Sequence, residues 1–167
     1  LAAVAQTPEG QELRLYDTRD GQRTALSRGD MIRHPLWSPS GDRLLVLLDR
    51  WVDPDQPTRG GATESDVVYP AGAQVTDMIV VSIADLSAPK VLDRVSVEGG
   101  VVAARLVGDS ARVVVRSAPL GFSWVYPQGP AGEAAAEAAN RQIIADSTLD
   151  DWLPHLTRGG DTALALV

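Results

Sequence analysis

Four side chains near the carboxyl end of the chain are of the types that hydrolytic enzymes use. Ser147, Asp150, Asp151 and His155 place a hydroxyl, two carboxylates and an imidazole within nine positions. A catalytic triad needs a base aimed at its nucleophile, with an oxyanion hole beside it. Residues that follow one another on a short helix do not converge in that way, and helix capping explains Ser147 and Asp150. We therefore predict no catalytic residue.

Metal ligands are few and poorly spaced. The chain has no cysteine, and His34 and His155 are its two histidines, neither in a metal-binding spacing. A site that joins them across the fold stays an alternative. Asp17 and Asp20 fall short of the six to eight oxygens that calcium takes, so a turn is the preferred interpretation. We predict no metal and no cofactor, and we interpret the carboxylates of the long polar loop as solvated: Asp53, Asp55, Glu64 and Asp66.

Arg105 is a charged residue within an otherwise apolar strand, residues 101–107. A charge in such a place must find a partner or reach water. It either lines a central channel and meets an anionic ligand, or pairs with Asp109, Asp77 or a main-chain carbonyl. We favour the structural pairing and keep Arg105 as a candidate ligand-binding residue.

Aromatic residues make up only 5% of the chain. Aromatic side chains on loops form recognition patches in many interfaces. Trp51, Trp124 and Tyr126 sit beside loops and are the other candidate ligand-binding residues. Trp37 and Trp152 are expected to pack into the core.

Composition limits the classes of partner. The chain has 15 basic and 22 acidic residues, a formal net charge of −7, and no stretch that collects positive charge. Phosphate backbones require such a stretch, so we predict no nucleic-acid partner. No apolar run approaches the roughly 20 residues that span a bilayer. With 44% hydrophobic residues, the chain is long enough to bury the core of one domain or a part of one.

Short apolar runs separated by turns predict strands along most of the chain. Residues 78–83, 91–97, 101–107 and 111–117 read as four strands of one meander. Residues 44–48 are apolar on both faces, as expected for a strand that is covered above and below. The tight turn at residues 39–41 precedes them, and residues 51–72 read as a long surface loop.

A helical segment interrupts this β pattern. Apolar residues recur at helical spacing between Glu133 and Asp146, and the acidic residues Glu133 and Glu137 favour the amino-terminal end. A second helix start follows at residues 147–151, where a carboxylate comes three residues after a hydroxyl. We expect the sheet to resume at residues 162–167.

Two features indicate a repeated architecture. The turn WSPSG at residues 37–41 feeds an apolar strand, as in TolB-type propellers, and the order of turn and strand recurs after about 40 residues, the length of one blade. The segments PKVLDRVSVEGGVVAARLVGDSARVVVRSAP and AAEAANRQIIADSTLDDWLPHL resemble bacterial secreted β-propeller domain proteins, which are distantly related to WD-type repeats. This resemblance covers residues 42–156.

The resemblance implies a propeller that is exported from the cell and often tethered to its surface, with no catalytic residues to transfer. We therefore predict an all-β partial β-propeller of four-stranded antiparallel blades with a small helical insertion. Residues 1–29 end one blade, residues 30–98 form the next, and residues 99–167 form a third with the insertion at 131–157. The remaining blades are expected to lie outside this chain.

The predicted function is a non-catalytic extracellular module for binding or scaffolding, with a protein or cell-wall ligand. Two alternatives stay open. One is a propeller hydrolase with carboxylates at the mouth of the channel, since propellers host such chemistry. The other is a spacer or regulatory lid for a neighbouring domain.

Overall fold

A computed structural model of the chain describes residues 2–8, 10–21, 23–29, 31–33, 35–52, 72–119, 122–158 and 161–164. The strands in it pair antiparallel and form three sheets. The first sheet contains β1 (Ala2–Thr7), β2 (Gly10–Tyr16) and β3 (Arg23–Gly29). The middle sheet contains β4 (Met31–Ile32), β5 (Leu36–Trp37), β6 (Arg43–Trp51), β7 (Gln74–Ser82), β8 (Lys90–Glu98), β11 (His155–Arg158) and β12 (Asp161–Leu164). A two-stranded ribbon contains β9 (Gly100–Val107) and β10 (Ser110–Arg116).

The first sheet packs against one face of the middle sheet. Leu13 and Leu15 alternate on β2 and are buried, as their spacing predicts. They join Leu44, Val46 and residues of β4 and β7 in one apolar cluster. Because every second residue of a strand shares a face, this apolar cluster takes Leu44 and Val46 from the even-numbered positions of β6.

The opposite face of the middle sheet looks toward the β9–β10 ribbon. Leu45 and Met78 of the middle sheet line a cleft of about 970 Å³, and Leu106 and Val113 of the ribbon line its other side. Of the residues predicted to be covered on both faces, Leu44, Val46 and Leu47 are buried, while Leu45 and Leu48 are half-buried. The cleft marks the boundary between two neighbouring sheets.

The four strands predicted for the central meander all form, but they do not share one sheet. β7 pairs with β8, whereas β9 pairs with β10. The chain changes sheets at Gly99, where φ is +117° and an added Cβ would lie 2.6 Å from the Arg116 carbonyl oxygen. Only glycine accepts both that backbone conformation and that close approach. The glycine turn thus starts a new sheet instead of continuing the old one.

The predicted helix forms as α1 (Glu133–Asp146), after a 3-10 turn at Pro130–Gly132. A second helix, α2 (Leu149–Trp152), follows. The chain then enters β11, which pairs with β8, and β12 pairs with β11. We expected these last strands to continue the sheet that the helical segment interrupts, but β11 returns to the edge of the middle sheet. The last three residues of the predicted final strand, 165–167, lie outside the described residues.

Two buried carboxylates bind the middle sheet together. Asp77 on β7 accepts hydrogen bonds from Ser96 Oγ at 2.5 Å, Arg94 Nη2 at 2.7 Å and Arg50 Nε at 3.1 Å. Burial alone raises the pKa of Asp77, but the Ser96 hydrogen bond and the two guanidinium charges outweigh it and hold that pKa below 3.8. These side-chain hydrogen bonds link β7 to its neighbours β6 and β8.

Asp49 on β6 connects the middle sheet to the ribbon. It receives two hydrogen bonds from Arg33, of 2.8 and 3.0 Å, and one from Thr76 Oγ1 at 2.9 Å. The backbone N–H of Val101 on β9 donates to the same carboxylate at 3.3 Å. A buried charge with this many donors is stable where it lies.

The predicted division into blades at residues 29 and 98 stays a prediction. Most of the predicted long loop, residues 53–71, lies outside the described residues, as does His34. No helix in the described part of the chain combines the length and apolar character that crossing a bilayer requires.

Candidate ligand-binding surface

Three aromatic rings meet on the helical segment. Phe122 is the only phenylalanine in the sequence, and its ring lies 5.0 Å from Trp124 and 4.6 Å from Trp152, centroid to centroid. Tilted pairs at these distances are favourable beyond the area they bury. Trp124 and Trp152 stay exposed while they contact Phe122. Together with Tyr126 we call these residues the aromatic surface.

The backbone beneath the aromatic surface is fixed by one amide side chain. Asn140 on α1 accepts from the Val125 N–H at 2.8 Å and donates to the Val125 carbonyl at 2.9 Å. This pair of hydrogen bonds holds Val125 as a neighbouring strand would. Tyr126 follows directly and is 73% exposed. Its ring is thus presented to solvent from a positioned backbone.

A small cavity adjoins the aromatic surface. It measures about 170 Å³ and shares Trp152 with the aromatic surface. Its other lining residues are Glu98, residues 117–119, Asp150, Asp151, Leu153, Pro154 and His155. Three carboxylates in so small a space give the cavity negative potential.

His155 lies between two of those carboxylates. Its Nδ1 is 3.2 Å from Glu98 Oε2, and its Nε2 is 3.2 Å from Asp150 Oδ1. Burial lowers the pKa of His155, but the hydrogen bonds to Glu98 and Asp150 and their negative charges outweigh it and raise that pKa above 6.5. The imidazolium form therefore joins α2 to β8.

The four residues that suggested a triad have other partners. Thr148, not Ser147, caps α2, because its side chain and the Asp151 carboxylate form a reciprocal capping box. Ser147 Oγ accepts from Trp152 Nε1 at 2.7 Å and donates to the Ile144 carbonyl at 2.7 Å. A capping box does begin α2, as predicted. Its residues are Thr148 and Asp151, so the assignment of the cap to Ser147 and Asp150 was wrong.

The structure corrects the expected pairing of Arg105. Asp77 is occupied by Arg50 and Arg94, and the Arg105 side chain is exposed. Among the residues that the structure describes, Arg105 has no ion pair or side-chain hydrogen bond. It lies directly opposite Arg112 in the ribbon.

The tryptophan expectations were partly wrong. Trp37 and Trp152 are exposed and not core residues. Trp51, at the end of β6, is 61% exposed, and in the described residues the ring contacts involve only Phe122, Trp124 and Trp152. Of the three candidate aromatic residues, Trp124 has a ring contact with Phe122 and Tyr126 is exposed two residues after it, whereas Trp51 has no ring contact in the described residues.

Sequence reasoning missed Phe122, Glu98 and Asn140. Nothing in the local pattern marks Glu98, which contacts His155 only because β11 pairs with β8. Phe122 was the one detectable signal, since a single phenylalanine two residues before a tryptophan suggests a local aromatic cluster. In the described part of the chain, no three histidine, aspartate or glutamate side chains form a group suited to a metal ion.

Neighbouring blades of a β-propeller are antiparallel sheets that pack face to face, and the packing of the first sheet and of the ribbon on the middle sheet agrees with that arrangement. The sequence model of the family described as "Beta propeller domain" matches residues 12–166, and the chain belongs to this family. Neither a curated protein nor a solved structure matches the chain significantly.

Proposed function

We propose that this chain is a non-catalytic binding module of an extracellular β-propeller protein, and that a segment of another protein binds to its aromatic surface. The observation that carries the proposal is the exposure of Tyr126, Trp124 and Trp152 on a backbone fixed by Phe122 and Asn140. The extracellular location rests on the resemblance to secreted propellers.

Aromatic side chains that are exposed and already positioned suit protein recognition. Each buries roughly 150–250 Å² when covered. Binding energy in protein interfaces concentrates in tryptophan, tyrosine and arginine. Side chains that are held in place before binding lose little conformational entropy when a partner arrives.

The adjoining cavity indicates the chemistry of the bound segment. Glu98, Asp150 and Asp151 make it acidic, and His155 compensates one of these charges when it is protonated. The face of a tryptophan ring attracts cations. We therefore expect a segment with a lysine or arginine next to an apolar anchor.

Selection from a random peptide library displayed on phage tests this function. The 167-residue chain serves as bait, and each enriched peptide is synthesised and titrated against the wild type and Tyr126→Ala. Tyr126 contacts solvent over most of its surface, so its removal leaves the fold intact. We expect enriched peptides that pair a cation with an apolar residue and bind Tyr126→Ala about tenfold or more weakly.

Trp51→Ala is the matched control, because Trp51 is an exposed aromatic residue outside the aromatic surface. Its affinity for the selected peptides should equal that of the wild type. Equal binding to Tyr126→Ala, loss of binding only in Trp51→Ala, or no enrichment at all would contradict the proposal.

Hydrolysis is the second candidate function. Glu98 and Asp150 line one cavity and both contact His155, a pairing that acid and base catalysis also uses. At about 170 Å³ the cavity is smaller than the roughly 300 Å³ at which ligand pockets begin, so we rank binding first. Turnover of a chromogenic glycoside or ester that is abolished in both Glu98→Gln and Asp150→Asn would reverse that order.

A further inference from the structure

The ring of His155 lies between two carboxylates. Its Nδ1 is 3.2 Å from Glu98 Oε2, and its Nε2 is 3.2 Å from Asp150 Oδ1. A neutral imidazole carries one N–H and donates to one of the two carboxylates, whereas the protonated ring donates to both. The observed geometry therefore suits the imidazolium form, and loss of the proton breaks one of the two hydrogen bonds.

The proton on His155 sets the charge of the small cavity beside the aromatic surface. The charged side chains on the elements packed around the ring are Glu98 on β8, Asp150 and Asp151 on α2 and, farther along β11, Arg158, which pairs with Asp93. Residues 117–119 bring no charge to the cavity, and the register partner of His155 on β12 is Leu164. Three carboxylates therefore face one ionisable imidazole.

The two carboxylates that contact the ring differ in what they keep when it loses its proton. The Glu98 side chain is 16% exposed and also accepts from the His155 backbone N–H at 3.0 Å. The Asp150 side chain is 71% exposed, so water satisfies it readily. Because an unsatisfied acceptor costs more where it is buried, the single N–H of the neutral ring stays on Nδ1 and faces Glu98. Nε2 then presents a lone pair beside the Asp150 carboxylate.

The position of α2 does not depend on that proton. The capping box of α2 joins Thr148 to Asp151. Trp152 Nε1 donates to Ser147 Oγ, and the Trp152 ring contacts Phe122. The hydrogen bond that deprotonation removes is solvent-exposed, and exposed ion pairs contribute little to stability. The neutral ring therefore leaves the aromatic surface in place and adds an uncompensated negative charge next to it.

From this geometry we infer a proton-for-cation exchange, which rests on the proposed function: a lysine or arginine of the bound segment takes the place of the Nε2 proton of His155. The cation donates to the Nε2 lone pair and to the Asp150 carboxylate, and the displaced proton passes to water. An imidazolium and a second cation repel each other at this short range. Binding of the cation and protonation of His155 therefore exclude each other.

The exchange fixes the sign of the pH dependence. Burial lowers the pKa of His155, but the hydrogen bonds to Glu98 and Asp150 and the charges of those carboxylates raise it above 6.5. Below that pKa the ring is protonated and opposes the incoming cation. The affinity for the cation therefore rises as the pH increases through the pKa of His155 and levels off above it. By reciprocity, the bound cation lowers the pKa of His155 by the same factor.

The probe is the dipeptide acetyl-leucyl-lysine amide, which supplies an apolar anchor and a cation. Its matched control carries an acetylated lysine, which removes the charge. NMR titration of the full 167-residue chain follows the His155 ring, and His155→Gln identifies its signals, because the chain has two histidines. We expect the probe to lower the pKa of His155 by about one unit and to bind about tenfold more tightly at pH 8.5 than at pH 5.5. The acetylated peptide should do neither.

Substitution separates the exchange from general attraction between charges. Asp150→Asn removes the carboxylate beside Nε2, and with it the effect of the probe on the pKa of His155. Asp146→Asn is the matched control, because Asp146 is an exposed carboxylate of α1 that pairs with Gln142. It should leave the exchange unchanged. In His155→Gln the affinity for the probe should be the same at both pH values.

Other results would overturn the exchange. Equal affinity at pH 5.5 and pH 8.5, with binding that Tyr126→Ala weakens, would refute it and leave the proposed function intact. Tighter binding at pH 5.5 would show that the imidazolium supports the bound segment instead of competing with it. An equal effect of the acetylated peptide, or an exchange that survives in Asp150→Asn, would remove the cation from this site. No binding of the probe at either pH would reject the inference, whereas the phage-selected peptides and Tyr126→Ala decide the proposed function separately.

Discussion

Replacing Asp77 with asparagine should destabilise the middle sheet more than any exposed ion pair does. Asp77 is 1% exposed and accepts from three side chains on the two neighbouring strands. Asparagine has nearly the same shape and keeps one oxygen for Ser96. It removes the negative charge that Arg50 and Arg94 face, and it turns an amide N–H₂ group toward them. The fold is preserved while the electrostatic contact is lost.

The magnitude follows from the exposure of the arginines. Breaking a fully buried pair costs about 3–5 kcal/mol, because one charge is left buried without a partner. Here the Arg50 and Arg94 side chains are 30% and 48% exposed, so water replaces part of the lost contact. Asparagine also buries no charge at this position, and the desolvation cost that is thereby avoided offsets a further part of the lost stability. We expect the free energy of unfolding to fall by about 2–3 kcal/mol in Asp77→Asn.

Urea unfolding at pH 7, followed by the fluorescence of the four tryptophans, measures this change. Asp93→Asn is the matched control. Asp93 pairs with Arg158 at 2.6 Å, but both side chains are solvent-accessible, so its loss should cost less than about 1 kcal/mol.

The effect should also depend on pH. Because the pKa of Asp77 is lowered in the folded state, its contribution is complete above the unfolded value of 3.8 and is lost as the pH falls through the folded value. The difference between wild type and Asp77→Asn should therefore shrink below about pH 4. An equal cost for Asp77→Asn and Asp93→Asn, or a difference that is as large at pH 3 as at pH 7, would refute the reasoning.

Two further predictions concern the glycine turn and the histidine. Gly99→Ala should destabilise the chain by more than about 3 kcal/mol in urea unfolding, because the new Cβ meets the Arg116 carbonyl, whereas Gly108→Ala, at φ +57° in open space, should cost about 1 kcal/mol; similar costs would contradict the close approach. In an NMR titration His155 should show a pKa above 6.5, and Glu98→Gln should lower that pKa. The ion pair therefore stabilises the fold below about pH 6.5 and weakens as the pH rises through the folded pKa of His155. A pKa of His155 at or below 6.5 would exclude the pair.

Local pattern was enough to predict most elements of this fold. The alternation of Leu13 and Leu15, the apolar run at residues 44–48 and the helical spacing of α1 each depend on near neighbours in the sequence. Partners distant in sequence were not predictable in this way. The pairing of β11 with β8 joins residues about 60 positions apart, and the placement of Glu98 beside His155 depends on it.

The predictions for Arg105, for the cap of α2 and for Trp152 were wrong for related reasons. Arg105 was expected to pair with Asp109, Asp77 or a main-chain carbonyl, but Asp77 is held by Arg50 and Arg94 from the adjacent strands. The cap of α2 was ambiguous, since Ser147 and Thr148 each precede a carboxylate by three residues, and only the structure distinguishes them. Trp152 was assigned to the core, yet it is exposed and its Nε1 donates to Ser147 Oγ.

The most direct test of binding at the aromatic surface is site-specific photo-crosslinking in the host that makes the intact protein. Tyr126→p-benzoylphenylalanine should trap a discrete polypeptide on irradiation, and the same substitution at Trp51 should not. A crosslink from position 51 but not from position 126, or no crosslink from either, would contradict the account.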